Sequence, residues 1–476
     1  MTSRSVLPEF SRILSLVLYC VVTSIAAKAS TPVVAVSSPA NNSQVSSPVH
    51  YVASAISPQC RRGISAIRIY IAPYLAAYTI NSNSLDTLLT LSPGTYKTVV
   101  QAWDNCGGVG KTSVDMTVAA TDLKPARFLY VADDSNSRVW GFTVNSSTGI
   151  PSATGQGSVP TNSSYRLSSD KGGYRLYVTN AAPIPYGGVF AYFVDRRNGY
   201  LYPVPGSPFL LNTTPGPIAV HPSGKFVFVG TVSLQPSDGI QILRVNPDGS
   251  LALVNSNPIV TKSTPGSIVM DPRGKYLYSS GGSSIDAFAI DTISGTLTPL
   301  PGSPYTISTT GCTNPQTSGM TDLYGRFLYI SDGGASEISG YAIGRSTGTL
   351  TELTGSPFPD DGGCPSGTAS LRGLTTEPTG RFLYALDGNP SFHISIYSIN
   401  AGNGVLTHVK DTGPISSGFV YGELRTDPSG KFLYAAGVDK TIGFSINPVS
   451  GDLTVLPGSP FPIGVNVAAF DLAVTP

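Results

Sequence analysis

The chain has 476 residues, enough for two or three domains. Only 12% are charged, and 52 Gly and 39 Pro suit short strands joined by tight turns better than long helices. A formal net charge of +1 excludes the electrostatic footprint of a nucleic-acid-binding protein or of a protein held on an anionic membrane.

Residues 1–29 read as a secretory signal peptide. Arg4 and Arg12 give a sparse positive start, Ile13–Ala27 is apolar, and Ala27-Lys28-Ala29 is a small-residue cleavage site. A membrane anchor is the alternative, but this run is 15 residues long against the roughly 20 a span needs. No other long apolar stretch follows, so the mature chain is expected to be secreted or periplasmic, at the cell envelope, with no membrane span. Four cysteines then remain, and an even number in an exported chain favours disulfides. Cys60 and Cys106 lie in one N-terminal segment, and Cys312 and Cys364 lie in equivalent loops of neighbouring repeats. A metal site is the alternative; with no Cys-x-x-Cys and no histidine cluster, none is expected.

Residues 30–120 hold seven short alternating stretches, among them Val49-His50-Tyr51-Val52-Ala53, Ile67-Arg68-Ile69-Tyr70-Ile71 and Thr98-Val99-Val100-Gln101-Ala102-Trp103. Turn residues such as Ser92-Pro93-Gly94 and Asn105-Cys106-Gly107-Gly108 separate them, the pattern of a β-sandwich. The segment resembles the immunoglobulin-like modules of bacterial secreted proteins, especially at Val100-Gln101-Ala102-Trp103-Asp104. Trp103 is expected in its core.

Residues 121–476 repeat. An apolar-aromatic run recurs with its last ring position at 130, 177, 228, 278, 329, 384 and 434, so that the period stays near 50 residues. That period, with strand-type residues, is the mark of a propeller blade. Gly149, Gly199, Gly249, Gly295, Gly348, Gly404 and Gly451 stand before each fourth strand, where a hairpin calls for positive φ. Gly-Ser-Pro-aromatic at 206–209, 302–305, 355–358 and 458–461 is expected to stop that strand and blunt the edge. The first repeat opens on a second strand, and residues 467–475 form a first strand with no blade after it. The fold class is therefore all-β: a seven-bladed β-propeller closed by the C-terminal strand, with 467–475 paired to 127–132, preceded by the immunoglobulin-like β-sandwich.

Tyr177-Val178-Thr179-Asn180 and the turns at 222–226 and 428–432 carry a further resemblance. Residues 122–476 are similar to the YVTN-repeat, lactonase-like seven-bladed family, which includes 6-phosphogluconolactonases. The resemblance implies a lactonase or cycloisomerase activity with a site on one face of the central channel. It also implies a histidine–arginine–glutamate set there.

Alignment on the turn glycines 173, 224, 274, 325, 380 and 430 puts Arg166, Pro217, Ser267, Ser318, Gly373 and Glu423 in one row, with Ser168, Ala219, Val269, Met320, Thr375 and Arg425 two residues on. Most are small or apolar. Glu423 is the candidate general base, with Arg425 beside it. Arg166 and Arg372 are candidates for holding an anionic substrate, since a guanidinium grips carboxylate or phosphate with two prongs. His393, opening a third strand, is a candidate overhang. The competing reading is a structural ion pair plugging the channel. Gly344-Arg345-Ser346-Thr347-Gly348 matches a nucleophile elbow but falls in a hairpin without a strand-to-helix context.

Two functions compete: a metal-independent, cofactor-free lactonase-like hydrolase acting on a small anionic or sugar lactone, and a non-catalytic envelope propeller binding a ligand, protein or glycan. A monomer without nucleic-acid partners is expected in either case.

Overall fold

A computed structural model describes residues 31–476 apart from 46–48, 73–74, 90, 92–93, 119–125, 183–185, 233–237, 309–317, 333–335, 360–370, 389–391, 416–422 and 465. The signal reading of residues 1–29 and the Cys312–Cys364 pairing lie outside the described residues. The chain divides into two compact units, one ending at Thr121 and the other beginning at Asp122. Every regular element among the described residues is a strand.

The first unit is a sandwich of two sheets. One orders Val33–Ser38, Val49–Ile56 and Ser84–Leu89; the other orders Ser43–Val45, Val109–Val118, Gly94–Asp104, Ile64–Ala72 and Leu75–Ile80. Alternation builds the core. Val49, Tyr51, Ala53 and Ala55 turn inward from one sheet to meet Ile67, Ile69, Val100, Ala102 and Met116 from the other. Trp103 is not in that core. It follows inward-facing Ala102, so the period of two sends it to the outer face, half-buried, with the Arg68 guanidinium 5.4 Å from its ring centroid. Cys60 and Cys106 form a disulfide with S–S 2.08 Å. Asp104 braces the same corner, accepting from Ser57 Oγ (2.6 Å) and from the N–H groups of Cys106 and Gly108 (2.9 and 2.7 Å).

The second unit is a seven-bladed propeller. In blades 2 to 7 the innermost strands are Ser164–Ser169, Pro215–Val220, Ser267–Met270, Gly319–Thr321, Leu371–Thr376 and Leu424–Thr426. Each is followed by the aromatic second strand and by a third. Blade 1 takes its innermost strand from the far end of the sequence. Ala469–Thr475 pairs with Phe128–Asp133, from Ala469 opposite Asp133 to Thr475 opposite Phe128. Closure removes the open edges that a linear array would leave.

A repeated clasp joins five of the seven blades to the next. The second-strand tyrosines Tyr130, Tyr278, Tyr329, Tyr384 and Tyr434 donate to the carbonyls of the hairpin glycines Gly199, Gly348, Gly404, Gly451 and Gly149 at 2.6–3.0 Å. The last of these, Tyr434 to Gly149, ties blade 7 to blade 1. Two residues earlier an aromatic ring lies flat on the same glycine. A Cβ added to Gly348 (φ +70°) would stand 2.3 Å from the Tyr276 ring, so no other residue fits. The clasp lapses in two blades: blade 3 carries Phe228, which has no hydroxyl to donate, and blade 2 departs further. Blade 2 carries Arg175 instead of the first ring, and the buried Tyr177 hydroxyl has no hydrogen-bond partner among the described residues.

The Gly-Ser-Pro-aromatic segments do not simply stop the fourth strand. In blade 4 the outer strand Leu297–Pro299 ends, the chain turns, and Tyr305–Thr306 pairs again with the third strand. The serine fills the break in the ladder: Ser303 Oγ accepts from Ala287 N–H (2.9 Å), as Ser207, Ser356 and Ser459 do for Ala191, Gly340 and Gly443.

Candidate functional site

The ladder fixes which side chains share a level of the channel. Arg425, Ser168, Ala219, Val269, Met320, Thr375 and Ala473 each stand opposite the second-strand aromatic of their blade. Two residues up lie Glu423, Arg166, Pro217, Ser267, Ser318, Gly373 and, from the closing strand, Asp471. Blades 7, 1 and 2 therefore present charge at this level, and blades 3 to 6 present proline, two serines and glycine.

The charged groups pair off. Arg166 Nη1 donates to Glu423 Oε1 at 2.7 Å, Arg425 Nη1 to Glu423 Oε2 at 3.1 Å, and Arg425 Nη2 to Asp471 Oδ1 at 2.9 Å. Asp471 is 2% exposed and also accepts from the N–H groups of Leu167 (3.0 Å) and Leu472 (2.8 Å). Its two oxygens thus fasten blade 1 to blades 2 and 7. The Arg166 guanidinium lies 4.9 Å from the Tyr165 ring centroid, and Phe470 backs that ring at 5.6 Å. Burial works against the Arg166 charge, but Glu423, then Tyr165 and Asp471, outweigh it, and the guanidinium pKa is raised. Arg425 is raised in the same way: burial opposes its charge, and Asp471 and Glu423 overcome that.

These four side chains form one wall of a cavity of about 370 Å³ in the channel. Pro217, Ile218, Ser267, Val269, Ser318 and Met320 contribute to the rest of its lining. A carboxylate flanked by two guanidinium groups can take a proton from water while an arginine steadies a developing oxyanion. Glu423 uses one lone pair of each oxygen on the arginines, and a carboxylate has about four such sites.

The structure brings Arg166, Glu423 and Arg425 together. Arg372 and His393, expected beside them, do not line this cavity. Arg372 precedes Gly373, the residue level with Glu423, and falls in the register irregularity between Leu371 and Leu374. His393 opens a third strand opposite Asp387, two strands out from the channel. No histidine lines the cavity. His221 closes a turn, its ring nitrogens 2.7 Å from Ser223 Oγ and 2.9 Å from Gly274 O. In blade 4 Asp271 fills the same place, accepting from the N–H groups of Lys275 and Tyr276. Asp471 escaped the sequence reading because the turn-glycine alignment omits an inner strand that no turn follows. Matching Leu472-Ala473 to Leu424-Arg425 and Leu167-Ser168 would have found it.

Residues 202–315 and 320–421 match the family model described as Lactonase, 7-bladed beta-propeller. No curated protein sequence matches the chain. Among solved structures, a periplasmic gluconolactonase of Pseudomonas aeruginosa is 19% identical with a TM-score of 0.59, covering 73% of this chain and 99% of its own. A Bacteroides fragilis protein proposed to be a 6-phosphogluconolactonase is 17% identical with a TM-score of 0.61, covering 75% and 99%. A Lactobacillus plantarum protein is 15% identical with a TM-score of 0.56, covering 74% and 100%. Among the described residues no helix is long and apolar enough to cross a membrane. The propeller of this chain is thus similar to the lactonase seven-bladed propellers, in sequence pattern over 202–315 and 320–421 and in fold around the whole ring.

Proposed function

We propose that the protein is an exported, lactonase-like hydrolase that opens a small lactone in the channel without a metal. The observation that carries this reading is Glu423 held between Arg166 and Arg425 on the wall of a cavity large enough for a small ring. The match to the lactonase family model and the leader-like residues 1–29 support it. Water attacks the lactone carbonyl carbon and gives its proton to Glu423. The carbonyl electrons move onto oxygen, where Arg425 holds the charge. Collapse breaks the ring C–O bond, and the proton on Glu423 passes to the departing alkoxide, leaving a hydroxy acid. The N-terminal sandwich is read as an immunoglobulin-like spacer.

Glu423→Gln keeps the shape and removes the base. Turnover of a lactone panel is expected to fall by about 10² to 10⁴. Turnover indifferent to the change defeats the mechanism. The second reading, a non-catalytic binder, is favoured by the mutual pairing of all four charges and by the lack of a histidine among the cavity-lining residues. It wins if no lactone is opened while calorimetry registers lactone binding.

A further inference from the structure

The turn face of the propeller holds a second cavity, of about 750 Å³. Leu323, Pro378, Pro428 and Pro476 give it an apolar wall, and Met320, Thr321 and Thr375 line both cavities. Met320 and these threonines thus stand between the two spaces. The threonines add little polarity, because Thr321 Oγ1 donates to Met270 O (3.0 Å) and Thr426 Oγ1 to Thr376 O (2.7 Å). Asp427 is fully buried, with Oδ1 accepting from the N–H groups of Lys431 and Phe432. Lys171 is exposed. Leu323 is 47% exposed, an apolar side chain facing open space.

The upper cavity is balanced in charge. Among the described residues its lining has two guanidinium groups and two carboxylates, paired with one another, so they leave no unmatched cation for a phosphate or carboxylate. The facing wall sets two hydroxyls, Ser267 and Ser318, among Pro217, Ile218, Val269 and Met320; a sugar ring would leave most of its own hydroxyls without a partner there, and unpaired buried hydroxyls are costly.

We propose that the channel takes an uncharged lactone with a long alkyl chain, its ring at the Arg166–Glu423–Arg425–Asp471 set and its chain running past Met320 into the turn-face cavity. This rests on the hydrolase reading for turnover but not for binding. It narrows the substrate away from anionic and sugar lactones.

The test uses the full chain and two matched series with unbranched side chains of two to eight carbons: neutral δ-lactones for turnover, and the corresponding lactams, which resist hydrolysis, for calorimetry. Both kcat/KM and lactam affinity are expected to rise about two- to fourfold per methylene. Glucono-δ-lactone and a carboxylated lactone should trail the long-chain members by about 100-fold. Leu323→Asp, at an exposed position, should flatten the chain-length slope, and Met320→Gln should do so from the junction. A flat slope in both series, or preference for the polyol or anionic ring, overturns the inference even if lactones are opened. A rising lactam slope without lactone turnover sustains it and defeats the hydrolase reading alone.

Discussion

The rim and the hub of the propeller obey different rules. At the rim the same contact recurs in five of the seven blades: a tyrosine hydroxyl on a glycine carbonyl, with an aromatic ring on that glycine. At the hub one structural position holds aspartate, arginine, proline, serine, serine, glycine and glutamate in turn round the ring. Repetition at the rim sets the number and spacing of the blades. Variation at the hub, over an arc of three blades, supplies the only full charges among the described residues that line the channel cavity. Departures from the repeat are thus where chemistry is to be sought.

The largest expected effect strikes the whole rim at once. The phenols of Tyr130, Tyr278, Tyr329, Tyr384 and Tyr434 are all pushed above the ordinary tyrosine range, chiefly by burial. Below about pH 10 they are neutral, folded or unfolded. Above it the unfolded chain ionises first, so the clasp contribution is lost as pH climbs from 10 through the raised folded values. Alkaline titration should show exposed tyrosines such as Tyr174 and Tyr202 ionising first, and a later share of tyrosinate absorbance arriving together with loss of near-ultraviolet circular dichroism. Ionisation of every tyrosine near pH 10 in an intact fold would refute the clasp.

A hub substitution comes next. Asp471→Ala leaves Arg425 short of a partner and two backbone N–H groups unbonded, and should cost about 3 kcal/mol in urea unfolding. Ser318→Ala, at the same level in the neutral arc, should stay within about 0.5 kcal/mol. Equal costs would erase the distinction between the two arcs. The finest comparison is within the rim. Tyr434→Phe should cost about 1 kcal/mol by orphaning the Gly149 carbonyl, whereas Tyr177→Phe should cost nothing measurable because that hydroxyl is already unbonded. A reversed order would show that the clasp geometry is not what holds blade 7 to blade 1.

Most of the ring was legible in the sequence because the repeat is written in residues with one structural use each: aromatic second strands, hairpin glycines, a first strand left over at the far end. Glu423, Arg166 and Arg425 were legible as exceptions to small, apolar rows. What failed has a common cause. Trp103 is an error of strand phase, where one residue decides the face, and Arg372 stands one residue before the row of Glu423, in a register irregularity. His393 was judged by its loop and not by its distance in strands from the channel. Asp471 was hidden because ring closure brings together residues more than 300 positions apart, a separation that no local pattern reports.

Asp471 has a consequence for the order in which the hub is assembled. Residues 469–475 follow all the other strands in sequence, yet one of them completes the electrostatic balance next to Glu423. During synthesis the other three charges exist before that balance does. A half-made ring would carry an uncompensated arginine, and the hub is complete only when the polypeptide has come full circle.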